Sequence, residues 1–196
     1  MLTVALAGNP NTGKTSLFNS LTGSYEYVGN WSGVTVEKKV GALKGQKDGR
    51  LLDLPGIYSL GPLTADEEVA SRCMLYESVD AVLNVVDASQ LQRNLLLTIQ
   101  LLELGRPLVI ALNMIDVAKR RGILVSAERL ANKLGVSVVP VIARSGKGCN
   151  EVGAMLGDIG KLAKPSFKLD YGAIIERALF DIERAFPMDE RVQING

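Results

Sequence analysis

The chain has 196 residues, 47% of them hydrophobic, and carries a formal net charge of +1. This apolar content is enough for a folded core, and the balanced charge gives no indication of a nucleic-acid-binding surface. The absence of histidine excludes histidine-based catalysis and histidine-ligated metals in this chain, and the spacing of Cys73 and Cys149 matches no metal or redox motif.

A phosphate-binding motif lies between the first two predicted elements, a buried strand over residues 2–7 and a helix over residues 16–21. The stretch Gly8-Asn9-Pro10-Asn11-Thr12-Gly13-Lys14-Thr15 fits G-x-x-x-x-G-K-[ST], a loop whose backbone N–H groups surround a phosphate chain. The start of the helix, from Ser16 onward, adds roughly half a positive charge. In this motif Lys14 reaches the β- and γ-phosphates and the Thr15 hydroxyl holds Mg²⁺, so the sequence predicts a nucleotide site.

A loop and a hairpin are predicted next. Residues 23–32 are polar, aromatic and glycine-containing, and we expect a mobile loop there. Strands over residues 34–40 and 50–54 then form a hairpin around a Lys47-Asp48-Gly49 turn. Thr35 lies between the loop and the hairpin, where its hydroxyl can ligate Mg²⁺ once a γ-phosphate is bound and thereby order the loop.

A D-x-x-G motif, Asp53-Leu54-Pro55-Gly56, ends the second hairpin strand. The motif is weak by itself, but it follows the phosphate loop at a suitable distance. We expect the Asp53 carboxylate to hold the Mg²⁺ shell and the Gly56 N–H to meet the γ-phosphate.

Strands and helices alternate through the rest of the chain. Helices are predicted over residues 65–76, 91–104, 126–135 and 151–163, and strands over residues 81–86, 108–112 and 136–142. Together with the earlier elements, this order predicts an α/β fold in which a mostly parallel six-stranded sheet carries helices on both faces. No apolar run approaches the ~20 residues of a membrane span, so we expect the chain by itself to be soluble.

Two stretches after buried strands predict a guanine site. In the N-x-x-D motif Asn113-Met114-Ile115-Asp116, the Asp116 carboxylate can accept from the N1–H and the 2-amino group of guanine. Adenine lacks the 2-amino donor, so the motif favours GTP over ATP. In Ile142-Ala143-Arg144, a backbone N–H near Ala143 would contact guanine O6. Ile142 stands where GTP-binding domains usually have a small hydroxyl residue, so support for this loop must come from elsewhere.

A domain boundary is predicted at Lys164-Pro165. Residues 1–163 then form the nucleotide-binding domain, and residues 164–196 begin a second, helical element. Residues 173–186 have the apolar spacing of one amphipathic helix, which has little of its own to pack against.

The order of these motifs resembles that of the translation-factor-like GTPases. Three stretches are similar to the N-terminal G domain of the FeoB family, prokaryotic ferrous-iron transport proteins: residues 29–37 (Gly-Asn-Trp-Ser-Gly-Val-Thr-Val-Glu), residues 53–60, and residues 85–89 with Arg93-Asn94-Leu95. The resemblance covers about residues 1–163 and implies a Ras-like P-loop GTPase domain. In the family a helical spacer and then a membrane domain follow, so residues 164–196 would begin the spacer.

The resemblance also implies a function. The chain would be the GTP-binding and GTP-hydrolysing switch domain of a ferrous-iron transporter, at the cytoplasmic face of the prokaryotic inner membrane. Its partner would be the membrane-spanning iron-permeation domain of the same protein, which is not in this chain. GTP or GDP would be held with Mg²⁺ by the motifs above, with further contacts from Gly33, Val34 and Thr35.

In the family a potassium ion beside the phosphates supplies positive charge that an arginine supplies in other GTPases. The matching ligands here are Asn11 and backbone carbonyls around Gly29 and Trp31. Hydrolysis would then be slow and stimulated by potassium. The catalytic residues implied are Asn11, Lys14, Thr35 and Gly56.

Other functions stay open at this point. A soluble GTPase of ribosome assembly or RNA modification would share the guanine and phosphate motifs, and an ATP-dependent kinase or transport ATPase would share the phosphate loop. Ile57 stands where many GTPases have a water-orienting glutamine, so a nucleotide-bound module without turnover is a further alternative. Trp31 is either an anchor for its loop or a partner contact, homo-oligomerisation is undecided, and no side-chain cluster indicates a ferrous site.

Overall fold

The computed structural model describes residues 2–31, 35–159, 164–165 and 167–185, without the side chains of residues 24–28, 183 and 185. In chain order the strands are β1 (Leu2–Gly8), β2 (Thr22–Asn30), β3 (Glu37–Leu43), β4 (Gly49–Asp53), β5 (Ala81–Asp87), β6 (Leu108–Asn113) and β7 (Ser137–Pro140). The helices are α1 (Lys14–Leu21), α2 (Ala65–Tyr76), α3 (Leu91–Glu103), α4 (Ile115–Arg120), α5 (Ala127–Leu134), α6 (Cys149–Gly157) and α7 (Ala173–Ala185).

The strands form one sheet in the order β2-β3-β4-β1-β5-β6-β7. From β4 to β7 all neighbours are parallel, so these strands end at the same edge of the sheet. Parallel neighbours need crossover connections, which the helices supply. The residues of β5 and β6 are all buried, as expected for strands covered on both faces. The edge where these strands end carries the phosphate loop and the N-x-x-D motif.

In the described part of the chain the sheet has seven strands rather than the predicted six, because residues 22–30 form β2 instead of a loop. Backbone pairing joins β2 antiparallel to β3, with two register shifts along its length. The prediction weighted the glycines of this stretch and underweighted Tyr25, Tyr27 and Val28, residue types that favour strands. The predicted β3–β4 hairpin is confirmed, although β3 begins at residue 37; Val34, where it was expected to begin, lies outside the described residues.

Helices cover both faces of the sheet, as predicted. One core cluster joins buried side chains of α2 and α3 to the sheet, and the other joins those of α1 and α6. The helix over residues 65–76 has the predicted bounds, and the Thr64 hydroxyl caps it by accepting from the Glu67 N–H at 3.2 Å. The six-residue helix α4 was not predicted, since it is too short to show a helical period.

Among the described residues beyond 163, two contact the main body of the fold. Phe167 packs against the first core cluster, and the Tyr171 hydroxyl donates to the Glu103 carboxylate of α3. Helix α7 follows where an amphipathic helix was predicted, and its described side chains are exposed, Ile174 by 88%. The domain division at residue 163 stays a prediction. Within the described part of the chain, no helix combines the length and hydropathy needed to cross a membrane.

Candidate nucleotide site

The phosphate loop, residues 8–15, curls between β1 and α1 in a shape that requires its glycines. Gly13 and Asn11 have φ angles of 85° and 63°, in the left-handed region. A Cβ on Gly13 would lie 2.3 Å from the Asn113 Nδ2, and one on Gly8 would lie 2.7 Å from a carbonyl oxygen of β5. The loop therefore has the close backbone approach that the motif predicts.

The interior of this loop contains an unpaired donor. Asn9 is buried, and its carbonyl accepts from the Thr12 hydroxyl at 2.9 Å. Among the residues that the structure describes, the Asn9 side-chain amide nitrogen has no hydrogen-bond partner. A buried donor without a partner costs about 1–3 kcal/mol. Together with the helix start that follows at Lys14, it fits a loop built to receive an anion.

Lys14 and Asp53 form a nearly buried ion pair at the centre of the site. The Lys14 ammonium contacts the Asp53 carboxylate and the Leu54 carbonyl oxygen, and the two charged side chains are 12% and 10% exposed. A phosphate in the loop would compete with Asp53 for the Lys14 ammonium. Asp53 would then need another cation, and oxygen ligands of this kind suit Mg²⁺. Thr15, the predicted hydroxyl ligand, is the next residue and is exposed in the first turn of α1.

The D-x-x-G segment runs alongside the phosphate loop. The N–H of Leu54 donates to the Leu6 carbonyl at 3.1 Å, and that of Ile57 donates to the Gly8 carbonyl at 3.2 Å. A Cβ on Gly56 would lie 3.1 Å from the Cα of Pro10, so the two loops nearly touch there. The Ile57 side chain is 2% exposed and belongs to the core, so it neither orients nor polarises water.

Asn113 joins the phosphate loop to the predicted base-binding loop. Its side-chain nitrogen donates to the Thr12 carbonyl at 2.8 Å, and its side-chain oxygen accepts from the Ala143 N–H at 3.0 Å. The side chain is 3% exposed. The Ala143 N–H is therefore already donated, so the predicted contact between guanine O6 and a backbone N–H near Ala143 would share this group or use a neighbouring amide.

A cavity of about 140 Å³ lies between these loops. It is smaller than typical binding sites for drug-sized molecules, which have volumes of ~300–1,000 Å³, and its size suits a single ring system. The lining residues are Gly13, Ser16, Asn113, Met114, Asp116, Val117, Ile142, Ala143 and Arg144. Met114, with a φ of 59°, precedes α4 and places Asp116 in its first turn. One Asp116 oxygen lies 3.4 Å from Arg120 and 3.5 Å from Arg144. The structure thus gathers both predicted base motifs around one carboxylate.

Support for the base loop comes from groups that the sequence did not identify. The Ser20 hydroxyl of α1 donates to the Ala143 carbonyl at 3.4 Å, and the Ile142 N–H donates to the Lys147 carbonyl at 2.9 Å. The Ser145 hydroxyl donates to the Ile142 carbonyl at 3.1 Å. These bonds, with the one from Asn113, hold the loop although Ile142 has no hydroxyl. Ser20 carries no sequence signal, because its partner is 123 residues away.

The remaining residues predicted to bind the nucleotide or a metal ion precede β3 in the sequence. Gly33 and Val34 lie outside the described residues, and Thr35 is exposed just after them. Gly29 belongs to edge strand β2, three positions from β1 in the sheet, or roughly 14 Å at the usual strand spacing. The predicted potassium ligand Gly29 is thus separated from Asn11, which follows β1, by the two intervening strands β3 and β4.

Trp31 is an anchor rather than an exposed partner contact. Its side chain is 7% exposed and belongs to the first core cluster, and the Lys38 ammonium lies 4.3 Å from the centre of its ring. Its backbone N–H donates to the Val36 carbonyl at 2.8 Å. Within the described chain, the indole N–H has no hydrogen-bond partner. The end of β2 is therefore held by burial of one aromatic ring.

Known proteins are similar to this chain over most of its length. The sequence profile of the family described as ferrous iron transport protein B matches residues 2–156. An Fe(2+) transporter FeoB from Staphylococcus aureus (strain MSSA476) is 53% identical over 174 residues, which cover 89% of this chain and 26% of the relative. The Fe(2+) transporter FeoB of Escherichia coli (strain K12) is 49% identical over 152 residues, which cover 75% of this chain and 20% of that relative. The chain thus spans about a quarter of the length of these relatives.

Solved structures of similar sequence have the same fold. The cytosolic domain of T. maritima FeoB in apo form has a TM-score of 0.88 at 36% identity and covers all of this chain and 77% of that one. A GDP-bound mutant of the S. thermophilus FeoB G-domain has a TM-score of 0.86 at 42% identity, covering 96% of this chain and 74% of that one. The predicted P-loop GTPase fold is confirmed, and a GTPase of ribosome assembly or RNA modification is not favoured. The chain belongs to the ferrous iron transport protein B (FeoB) family.

Proposed function

We propose that this chain is the GTP-binding and GTP-hydrolysing switch domain of an Fe(2+) transporter. The observation that carries the proposal is the Asn113 bridge, which links the phosphate loop to the base loop around a cavity containing Asp116. The names of the relatives support a role in Fe(2+) transport, and solved relatives include forms with GDP and with GMPPNP.

Asp116 selects guanine in this proposal. Its carboxylate accepts from the N1–H and the 2-amino group of the base, while Arg120 and Arg144 keep a positive field beside it. Adenine presents no donor at these two positions, so it would lose both hydrogen bonds to the carboxylate, which stays paired with Arg120 and Arg144. Met114 and Ala143 supply walls of the cavity on either side.

The phosphate loop and α1 bind the phosphates. Lys14 exchanges the Asp53 carboxylate for the β- and γ-phosphates, and the helix start adds its partial positive charge. The nucleotide contacts proposed here come from Gly8, Asn9, Pro10, Asn11, Thr12, Gly13, Lys14, Thr15, Ser16, Gly33, Val34, Thr35, Gly56, Asn113, Met114, Asp116, Ile142, Ala143 and Arg144.

Mg²⁺ would be held by the Thr15 and Thr35 hydroxyls, with Asp53 supporting its shell. The ion would bridge phosphate oxygens and neutralise charge that develops on them during hydrolysis. Asp53 fits because it is nearly buried and already pairs with a cation in this structure. Thr35 fits because it lies directly after the segment that a γ-phosphate would order.

Potassium is proposed as the second cation, because Ile57 contributes no polar group to the attack of water. Asn11 would be one ligand, and carbonyls around Gly29 and Trp31 would complete the shell after the end of β2 moves toward the phosphates. We expect the GTPase rate to be higher in KCl than in NaCl of equal concentration. Asn11→Ala should remove that difference, whereas Asn19→Ala, an exposed position on α1, should preserve it.

The nucleotide state would be communicated through the anchored end of β2 and through residues 57–63. Residues 57–63 follow Gly56, which nearly touches the phosphate loop, and the end of β2 precedes Thr35, the proposed Mg²⁺ ligand. The recipient is the membrane-spanning iron-permeation domain of the longer protein, at the cytoplasmic face of the membrane. Residues 164–196 would begin the helical spacer between the two.

Nucleotide competition tests the proposed function directly. A fluorescent GDP analogue bound to the chain should be displaced by GTP and GDP at concentrations at least about 100-fold lower than by ATP and ADP, because the adenine base lacks both donors that the carboxylate would recognise. With Mg²⁺ present, the chain should also release phosphate from GTP. Displacement by ADP as readily as by GDP would refute the assignment of the base site.

A further inference from the structure

A long apolar groove lies on the surface formed by α3, α4 and α5, and none of its lining residues belongs to the phosphate loop. It consists of two adjoining hollows of about 640 and 840 Å³, and we call them together the α3–α5 groove. Both hollows are lined by Ala88, Leu91 and residues 123–125. No step of the proposed GTPase reaction uses this groove.

The groove exposes aliphatic side chains that are usually buried. Leu124 is 94% exposed, Leu96 of α3 is 55% exposed and Ile123 is 39% exposed. These three line the same hollow, so they form a contiguous patch rather than scattered single residues. Contiguous apolar patches on a protein surface mark interaction sites.

The rim of the groove is cationic. Lys119, Arg129 and Lys133 line the hollow between α4 and α5, and Arg93 lines the hollow beside α3. Among the residues described by the structure, no aspartate or glutamate lines either hollow. An apolar floor with charges of one sign on its rim complements a ligand with an apolar face and acidic flanks.

We propose that the α3–α5 groove binds an acidic amphipathic helix of a partner protein. Such a helix places aliphatic residues at i, i+3, i+4 and i+7 along the floor, against Leu96, Ile123 and Leu124. Its glutamates and aspartates then meet Lys119, Arg129 and Lys133.

Two synthetic helical peptides provide the first test. Both carry leucines at the helical spacing given above; one has glutamate at the remaining positions and the other has lysine. Fluorescence anisotropy with the purified chain should show that the glutamate peptide binds at least about ten-fold more tightly than the lysine peptide. Raising the salt concentration should weaken it, because exposed charges are screened. Equal affinities, or no binding of either peptide, would overturn the proposal.

Matched variants separate the groove from the charge of the whole protein. Lys119→Glu/Lys133→Glu should weaken binding of the glutamate peptide at least about five-fold. Lys47→Glu/Lys168→Glu changes the net charge equally at exposed positions that do not line the groove, and should leave binding within about two-fold. A similar loss in both double variants would show nonspecific charge attraction and overturn the proposal.

The apolar contribution has its own pair of variants. Leu124→Ser should weaken peptide binding at least about five-fold, while Ile174→Ser, at an equally exposed aliphatic side chain on α7, should not. Far-UV circular dichroism checks that all variants are folded. Two results would assign the groove differently and refute the proposal: Leu124-dependent binding to phosphatidylserine vesicles without peptide binding, or Leu124-dependent dimerisation in sedimentation.

Discussion

Replacing Asn113 with alanine tests the link between the phosphate loop and the base loop. The substitution leaves the Thr12 carbonyl and the Ala143 N–H without their side-chain partner. Each buried group left unpaired costs about 1–3 kcal/mol, and Asn113 is 3% exposed, so water replaces the lost bonds poorly. We therefore expect Asn113→Ala to lower the free energy of unfolding by about 2–4 kcal/mol.

Thermal unfolding followed by circular dichroism, without nucleotide, measures this loss. For a domain of this size 1 kcal/mol corresponds to about 2–4 °C, so the melting temperature should fall by at least about 4 °C. Asn113→Asp keeps the acceptor for the Ala143 N–H but places a carboxylate oxygen opposite the Thr12 carbonyl, and should be destabilising as well. GDP affinity should fall in both variants, because the base cavity loses the side chain that shapes it.

A suitable control is Asn132→Ala, at an exposed position on α5, which should change the free energy of unfolding by less than about 0.5 kcal/mol. The reasoning fails if Asn113→Ala melts within about 1 °C of the unmodified chain. It also fails if the control is destabilised to the same extent.

Three other predictions concern the same site and the core. Gly13→Ala should destabilise the chain and abolish GDP binding, because its Cβ would lie 2.3 Å from Asn113 Nδ2 at a φ of 85°; an unchanged melting temperature would contradict this. Lys14→Met should reduce GTP affinity by more than about 100-fold in the displacement assay. It should also destabilise the nucleotide-free chain, because Asp53 loses its cation in a nearly buried pair. Burial raises the pKa of Cys73 from 9.0 to about 12, so the unfolded chain loses this proton at a lower pH than the folded chain does. The free energy of unfolding should therefore fall as the pH rises from about 9 toward 12. Urea unfolding should show a smaller fall for Cys73→Ala than for the unmodified chain.

Local patterns in the sequence predicted much of the fold and the identity of the site. The phosphate loop and the N-x-x-D motif are contiguous and occur at strand ends, and a helix such as α2 shows a full period with a capping threonine. Strand β2 was missed because its pairing with β3, rather than its glycine-containing sequence, decides its structure.

Long-range contacts within the site were not predictable from spacing. Lys14 was assigned to phosphates, and nothing in the sequence indicates that it also pairs with Asp53. Asn113 was predicted as part of the base motif, but its bonds to Thr12 and Ala143 span 101 and 30 residues. Such contacts depend on which strands become neighbours in the sheet, and local residue spacing does not reveal that order.

The central claim is that Asp116 selects the base, and Asp116→Asn tests it most directly. The asparagine amide offers one acceptor and one donor, which match the N1–H and the 2-oxo group of xanthine rather than the two donors of guanine. Titration of the purified variant should show GDP affinity reduced by about 100-fold or more and xanthosine diphosphate bound more tightly than GDP. An Asp116→Asn variant that retains its preference for GDP over xanthosine diphosphate would contradict the account.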